Sequence, residues 1–148
     1  MRSFQIIVGS MLGGTEYVAE ACQEALEAKN HQTMIHLTPK YSEVSLENQI
    51  LLVITSTHGA GDYPDNIKSY VEDLEKDDRD LSTVEFIVIG IGDSSYDQYC
   101  QAAKNIENLL ISKGCKMITE SKLFDMQDDI DPEELSAQWI SAQIDQLI

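Results

Sequence analysis

Two segments of this chain are apolar without interruption, and they restrict the possible folds more than any other feature. Residues 50–55 read ILLVIT and residues 86–91 read FIVIGI, and both are rich in β-branched side chains. A strand with one face in water alternates apolar and polar residues, whereas a strand covered on both faces has no need to alternate. The two segments therefore predict central strands of a parallel sheet that helices cover on both sides.

Strand-like and helix-like segments alternate along the chain. Further strands are predicted at residues 4–9 and 32–37, around 84–91, and more weakly at 115–124. Apolar residues recur with helical spacing at 14–29, 67–75, 99–113 and from Pro132 onward. In the last helix we expect the buried side to hold Leu135, Trp139, Ala142 and Leu147. Strict alternation with short connections predicts right-handed crossovers and one α/β domain, residues 1–148, with a doubly wound sheet of about five parallel strands.

Charge and cysteine content restrict partners and compartment. Acidic residues outnumber basic ones by 26 to 10, for a net charge of −16, so we expect no nucleic acid and no membrane as a partner. Cys22, Cys100 and Cys115 form no CxxC pair, and the chain shows neither a signal peptide nor an apolar stretch of about 18 residues. These features predict a reduced, cytoplasmic protein without a metal site.

Ligands of doubly wound sheets bind at the carboxyl ends of the strands. The loop after the first predicted strand, called the first loop, has features of a phosphate site. Residues 10–15 read SMLGGT and lead directly into the first predicted helix. Glycine turns and a helix N-terminus suit a phosphate group, and Ser10 and Thr15 add hydroxyl donors. The loop has neither the lysine of a Walker site nor the GxGxxG pattern of dinucleotide binders.

The second and third loops offer flat side chains. Residues 56–66 read STHGAGDYPDN, and residues 90–100 read GIGDSSYDQYC. A planar ring in each of two neighbouring loops, His58 and Tyr96, indicates a slot for a flat aromatic ligand. The end of the second loop, residues 64–66, is also explained as the start of the next helix.

Together the three loops resemble the motifs of the flavodoxin family. The chain length and the motif sequences are most similar to those of short members of the MioC type. The second and third loops also resemble the FMN domains of diflavin reductases. The resemblance runs from Phe4 to about Trp139. It implies the flavodoxin-like strand order 2-1-3-4-5, helices on both faces of the sheet, and FMN as the cofactor.

The resemblance also implies a set of cofactor-binding residues. The first loop would bind the FMN phosphate, His58 and Tyr96 would flank the isoalloxazine ring, and Gly59 would turn its carbonyl toward flavin N5. Asp128 or Asp129 would be the acidic residue near the flavin after the fifth strand. The expected cofactor-binding residues are Ser10, Met11, Leu12, Gly13, Gly14, Thr15, Ser56, Thr57, His58, Gly59, Ala60, Gly61, Gly92, Asp93, Ser94, Ser95, Tyr96, Tyr99, Cys100 and Asp128.

Two positions depart from the family pattern. Leu12 stands where relatives usually have threonine, which removes a hydroxyl contact to the phosphate. His58 stands where relatives commonly have tyrosine, which weakens stacking and brings a titratable ring to the site.

The resemblance implies an electron carrier rather than an enzyme. Such a protein shuttles single electrons between a flavoprotein reductase, the donor, and a basic-surfaced acceptor redox protein. From the 148 residues we expect no NAD(P)H domain, and the sequence suggests no catalytic triad. An alternative stays open: a flavodoxin-fold binding or regulatory module that acts through protein contacts, with FMN incidental.

Two other classes with this architecture fit the residues less well. A phosphotransfer receiver domain needs an aspartate at the end of the third strand, where this chain has Thr55-Ser56. A dinucleotide-dependent enzyme needs an acidic residue after the second strand, where this chain has Leu37-Thr38.

Overall fold

A computed structural model describes residues 1–11 and 13–147 of the chain. Its strands are β1 (Ser3–Gly9), β2 (Gln32–His36), β3 (Ile50–Thr55), β4 (Glu85–Gly92), β5 (Lys116–Met117) and β6 (Lys122–Asp125). Its α-helices are α1 (Gly14–Glu27), α2 (Lys68–Lys76), α3 (Gln101–Ser112) and α4 (Pro132–Leu147). Short 3₁₀ turns occupy Tyr41–Glu43, Asp65–Ile67 and Met126–Asp128. Within the two described ranges, no helix has both the length and the apolar composition needed to cross a membrane.

The strands form one parallel sheet. Their order is β2-β1-β3-β4-β5, with β6 also paired to β4, and this confirms the predicted doubly wound order. The predicted fifth strand is divided in two, because β5 pairs with the start of β4 and β6 with its end. A strand at a sheet edge is held from one side only, so the polar stretch Thr119-Glu120-Ser121 between the two segments can leave the ladder.

Burial on both faces explains the uninterrupted apolar segments. Every residue of β3 is buried, and successive residues such as Leu52 and Val53 belong to different apolar clusters on opposite faces. Helices α2 and α3 complete the cluster that contains Val53, and helices α1 and α4 complete the other. The three cysteines are free and buried within these clusters.

The buried side of α4 differs from the sequence prediction. The helix begins at Pro132 as expected, and Asp131 Oδ1 accepts hydrogen bonds from the backbone N–H groups of Glu133 and Glu134. Its buried residues are Ser136, Ile140 and Ile144. Leu135, Ala142 and Leu147 are exposed, so their predicted burial was wrong, whereas Trp139 is partly buried against the cluster that contains Leu52. Apolar residues occur on most sides of α4. The side that packs against the sheet is the one on which Ser136, Ile140 and Ile144 recur every four residues.

His31 is a buried histidine at the amino-terminal edge of the sheet. Its side chain is 8% exposed, and its Nδ1 accepts a hydrogen bond of 3.0 Å from the backbone N–H of Arg2. Its ring packs edge-on against Phe4, with 5.7 Å between the ring centroids. Burial, followed by the positive charges of the N-terminus, Arg2 and Lys29, lowers the pKa of His31 below its usual value.

This environment predicts a loss of stability in mild acid. Because the folded pKa of His31 lies below the unfolded value of about 6.5, the stabilisation is complete above that pH and declines as the pH falls through the folded pKa. His31→Asn keeps an oxygen that can accept from Arg2 but does not titrate. We expect the free energy of urea unfolding to fall more between pH 7.5 and pH 5.5 in the wild type than in the variant. An equal fall in both proteins would contradict the prediction.

Candidate functional site

The register of the sheet brings the three glycine-rich loops to one edge. Gly9 at the end of β1 pairs with Thr55 of β3, and Thr55 pairs with Gly90 of β4. The loops that follow β1, β3 and β4 therefore leave the sheet side by side. This is the carboxyl-terminal edge, where doubly wound sheets bind their ligands.

The first loop leads into the N-terminus of α1. Gly13 has a φ of +88°, a conformation that favours glycine, and its amide donates to Ser10 Oγ at 2.9 Å. Among the described residues no side chain caps this helix, and a Cβ added at Gly14 would meet nothing within 4 Å. Thr15 is buried beneath the turn. The arrangement suits an anion at the helix N-terminus. The predicted contact at Leu12 lies outside the described residues.

The second loop is a tight hairpin. The backbone groups of His58 and Asp62 exchange two hydrogen bonds, each 2.8 Å long. The tip of the hairpin consists of Gly59, Ala60 and Gly61, and Gly59 and Ala60 are exposed. The His58 side chain is half-buried at the base.

The second loop is also hydrogen-bonded to neighbouring elements. Thr57 Oγ1 accepts a hydrogen bond of 3.1 Å from the backbone N–H of Ala102, in the first turn of α3. Ser56 donates to the carbonyl of Gly9 through its backbone N–H at 3.0 Å. The second loop is thus bonded to the end of β1 on one side and to α3 on the other.

Acidic side chains order the third loop. Asp93 Oδ1 accepts from the backbone N–H of Ser95 at 2.8 Å and from its hydroxyl at 2.5 Å, and these bonds lower the pKa of Asp93. Asp125 Oδ1 accepts from the backbone N–H of Ser94 at 2.9 Å, and hydrogen bonding from the side chain and then the backbone of Ser94 lowers the pKa of Asp125. Asp125 therefore ties the third loop to β6. Tyr96, which follows Ser95 in the third loop, is 69% exposed.

A cleft of about 530 Å³ lies between the second and third loops. The predicted residues that line it are Ser56, Thr57, Gly59, Gly92, Asp93, Tyr96, Tyr99 and Cys100. Ile91, Gln98 and Met126, which sequence reasoning missed, complete the lining. Clefts of about 300–1,000 Å³ are typical of small-molecule sites.

The other described residues of the predicted set are not part of the lining of this cleft. They are the first-loop residues Ser10, Met11, Gly13, Gly14 and Thr15, together with His58, Ala60, Gly61, Ser94, Ser95 and Asp128. Asp128 instead lines a neighbouring cleft of about 700 Å³ with Trp139 and Leu135, and Tyr99 is common to both clefts.

Two residues that hold the loops in place were not recognised as functional in the sequence. Asn66, at the end of the second loop, hydrogen-bonds to the backbone of Val8, Ser10 and Leu37. Asp125 directly precedes Met126, and it is Met126 that lines the cleft. The only sequence signal for either was a short polar side chain just beyond a strand or loop end, which also marks an ordinary helix start.

Gly92 is required by packing as well as by its place in the cleft. A Cβ at this position would lie 2.6 Å from Cys100 Sγ and 3.1 Å from the Cys100 backbone nitrogen. Cys100 is 1% exposed and has a φ of 51° directly before α3, so it has little room to move. The wall of the cleft is therefore closely packed behind the surface that a ligand would meet.

Comparison with known proteins identifies the family. The sequence profile described as Flavodoxin matches residues 6–139. The chain belongs to the flavodoxin family. This flavodoxin is 43% identical over 142 residues to Protein MioC homolog from Pasteurella multocida (strain Pm70), across 96% of each chain. The resemblance to MioC-type members is thereby confirmed.

Two further similarities agree with the motifs. This flavodoxin is 30% identical over 141 residues to the sulfite reductase [NADPH] flavoprotein alpha-component of Bacillus subtilis (strain 168), covering 94% of this chain and 23% of that protein. A solved structure, a cysteine-to-serine mutant of flavodoxin from Pseudomonas aeruginosa, superposes with a TM-score of 0.90 over 98% of both chains at 24% identity. At that identity the superposition shows a shared fold.

A matched pair of glycine substitutions tests the packing of the cleft wall. We expect Gly92→Ala to lower the free energy of unfolding by about 1–3 kcal/mol, because the new methyl group overlaps Cys100. Gly14→Ala, in the open first turn of α1, should change it by no more than about 0.5 kcal/mol. Urea unfolding of the apoproteins measures both values.

A double-mutant cycle assigns the effect to Cys100. Combining Gly92→Ala with Cys100→Ala removes the sulfur atom that the new methyl group would meet. The double variant should therefore be more stable than the sum of the two single effects predicts. Additive effects would show that the sulfur contact is not the cause.

Proposed function

We propose that this protein binds FMN and shuttles single electrons between a flavoprotein reductase and a basic-surfaced acceptor redox protein. The observation that carries the proposal is the cleft between the second and third loops, at the same edge of the sheet as the N-terminus of α1, which no described side chain caps. One end of the site suits a flat ring and the other suits a phosphate. Residues 1–148 act in this proposal as one FMN-binding domain.

The residues present fit the chemistry of FMN. The cleft combines the exposed face of Tyr96 with the backbone of Gly59, where an added Cβ would meet no atom of the described residues within 4 Å. The open first turn of α1 offers backbone N–H groups to a phosphate. Both halves of the expected ligand therefore have matching groups at the same edge of the sheet.

Within this proposal each loop has a distinct role. Ser10 Oγ accepts from the Gly13 amide, and the Ser10 hydroxyl hydrogen, which that bond does not use, would donate to the phosphate. The amides of Gly14 and Thr15 would donate beside it. His58, Gly59 and Tyr96 would bound the ring, and the full set of residues expected from the sequence remains the proposed contact set.

Bound FMN would supply one- and two-electron redox chemistry, while the protein orients its edge and tunes its potential. Asp93 lines the cleft, and Asp125 and Asp128 line the neighbouring one. Their negative charges oppose the addition of further negative charge nearby. We therefore expect these carboxylates to keep the reduction potential low.

The charge of the chain supports the proposed partners. A net charge of −16 attracts a basic acceptor surface and accelerates encounter with it. The similarity to a part of a sulfite reductase flavoprotein supports a flavoprotein reductase as the donor. Three free, buried thiols fit a reducing compartment, and we place the protein in the cytoplasm.

Purified protein should therefore bind FMN, with visible flavin absorption bands and quenched flavin fluorescence as readouts. Removing the exposed ring with Tyr96→Ala should weaken binding roughly tenfold, because stacking area is lost. Ile111→Ala, which shortens an exposed apolar side chain near the other end of α3, serves as the matched control and should leave affinity unchanged. A colourless protein that also refuses added FMN would favour the binding-module alternative.

Electron transfer to a basic acceptor should depend on salt. We expect the rate from the FMN-loaded protein to cytochrome c, a basic probe, to fall steadily as ionic strength rises from about 0.01 to 0.5 M, because salt screens the attraction. Stopped-flow measurement of cytochrome reduction gives the rate. A neutral acceptor such as 1,4-benzoquinone is the control, and its rate should change little. Equal salt dependence for both acceptors would exclude electrostatic docking.

A further inference from the structure

Asn66 makes three hydrogen bonds to the backbone of two other segments. Its Oδ1 accepts from the backbone N–H of Ser10 at 3.0 Å. Its Nδ2 donates to the carbonyl oxygens of Val8 at 2.5 Å and Leu37 at 2.9 Å. One side chain thus forms hydrogen bonds with the end of β1, the first residue of the first loop, and the residue that follows β2.

The need for these bonds follows from the unequal lengths of the strands. The last pair between β1 and β2 is Ile7 with His36, whereas β1 continues beside β3 to the pair of Gly9 with Thr55. Successive residues of a strand direct their N–H and C=O groups to opposite neighbours. The carbonyl of Gly9 faces β3, where it accepts from Ser56. The polar groups of Val8 and Ser10 consequently face the side where β2 has ended.

The Asn66 amide takes the place of the missing strand. It presents one acceptor and one donor to β1, as the backbone of a neighbouring strand does, and its second N–H reaches Leu37 beyond the end of β2. A carboxylate lacks the donor, and an apolar side chain lacks both. The sheet is thereby extended by a side chain at the point where the first loop begins.

Ser10 connects Asn66 to the N-terminus of α1. Ser10 Oγ accepts from the amide of Gly13, the residue before α1. A second contact joins the same segments, since the backbone N–H of Asp65 lies 3.3 Å from Met11 Sδ. The bonds therefore run from Asn66 through Ser10 to the N-terminus of α1.

We propose that Asn66 is a positioning residue for the phosphate end of the flavin site. It holds Ser10 and the α1 N-terminus at a fixed place relative to the second loop, of which Asn66 is the last residue. The inference rests on the proposed function, because it assigns Asn66 to the phosphate rather than to the ring of FMN. Asn66 itself lines neither of the two clefts beside Tyr99.

Comparing FMN with riboflavin tests this role, because riboflavin has the same ring and no phosphate. Dissociation constants for both flavins are measured by fluorescence quenching in the wild type, Asn66→Ala and Asn66→Leu, a variant of similar size without hydrogen-bonding groups. We expect FMN to bind about tenfold more weakly to both variants, since the contacts that hold Ser10 are lost, while the affinity for riboflavin stays within about twofold. Thermal unfolding without flavin records the stability of each protein.

Asn105→Ala is the matched control. It removes another side-chain amide, whose Oδ1 accepts from Gln101 Nε2 at 2.8 Å on α3. Its ratio of FMN to riboflavin affinity should equal that of the wild type.

The possible outcomes separate the two proposals. If the wild type binds neither flavin, the proposed function itself fails, and the role of Asn66 fails with it. If the wild type prefers FMN and the Asn66 variants keep that preference, only the positioning role is overturned. Equal weakening of both flavins, or loss of folding in both variants, would mean that Asn66 supports the fold as a whole and would also overturn it.

Discussion

Backbone N–H and C=O groups at the carboxyl edge of the sheet need hydrogen-bond partners where the strands stop, since unpaired buried groups are costly. Here side chains from adjacent segments provide many of them. Asn66 bonds to the end of β1, Thr57 to the first turn of α3, and Asp125 to the third loop. Each of these bonds crosses from one loop or strand to another, so the requirement for pairing also fixes how the loops lie relative to one another.

The cleft depends on this network. Most of its lining comes from loops, and the second and third loops continue directly from β3 and β4, whose central residues are buried. Gly92 and Cys100 add a packed wall behind the open surface. Rigid support of this kind reduces the ordering that a ligand must impose when it binds.

The sequence predicted the sheet well because hydrophobic burial leaves a long-range pattern. Residues 50–55 are apolar throughout because both of their faces are covered, and the helix starting at Pro132 was visible from its capping aspartate. The packed side of α4 and the division of the fifth strand were not predictable, since both depend on neighbours that a single sequence does not reveal. The hydrogen bonds of Asn66 and Asp125 to other segments were not predicted for the same reason. A short polar residue after a strand gives the same sequence pattern whether it caps its own helix or bonds to another segment.

The hairpin from His58 to Asp62 has a consequence for how this site can diverge. Its two closing hydrogen bonds join backbone atoms only, so the shape of the turn does not depend on which side chain stands at position 58. Evolution can therefore exchange the residue there, a phenol ring for an imidazole ring or the reverse, without rebuilding the loop. A single codon change can therefore alter the side chain at position 58, while the hydrogen bonds of Ser56 and Thr57 to neighbouring elements stay the same.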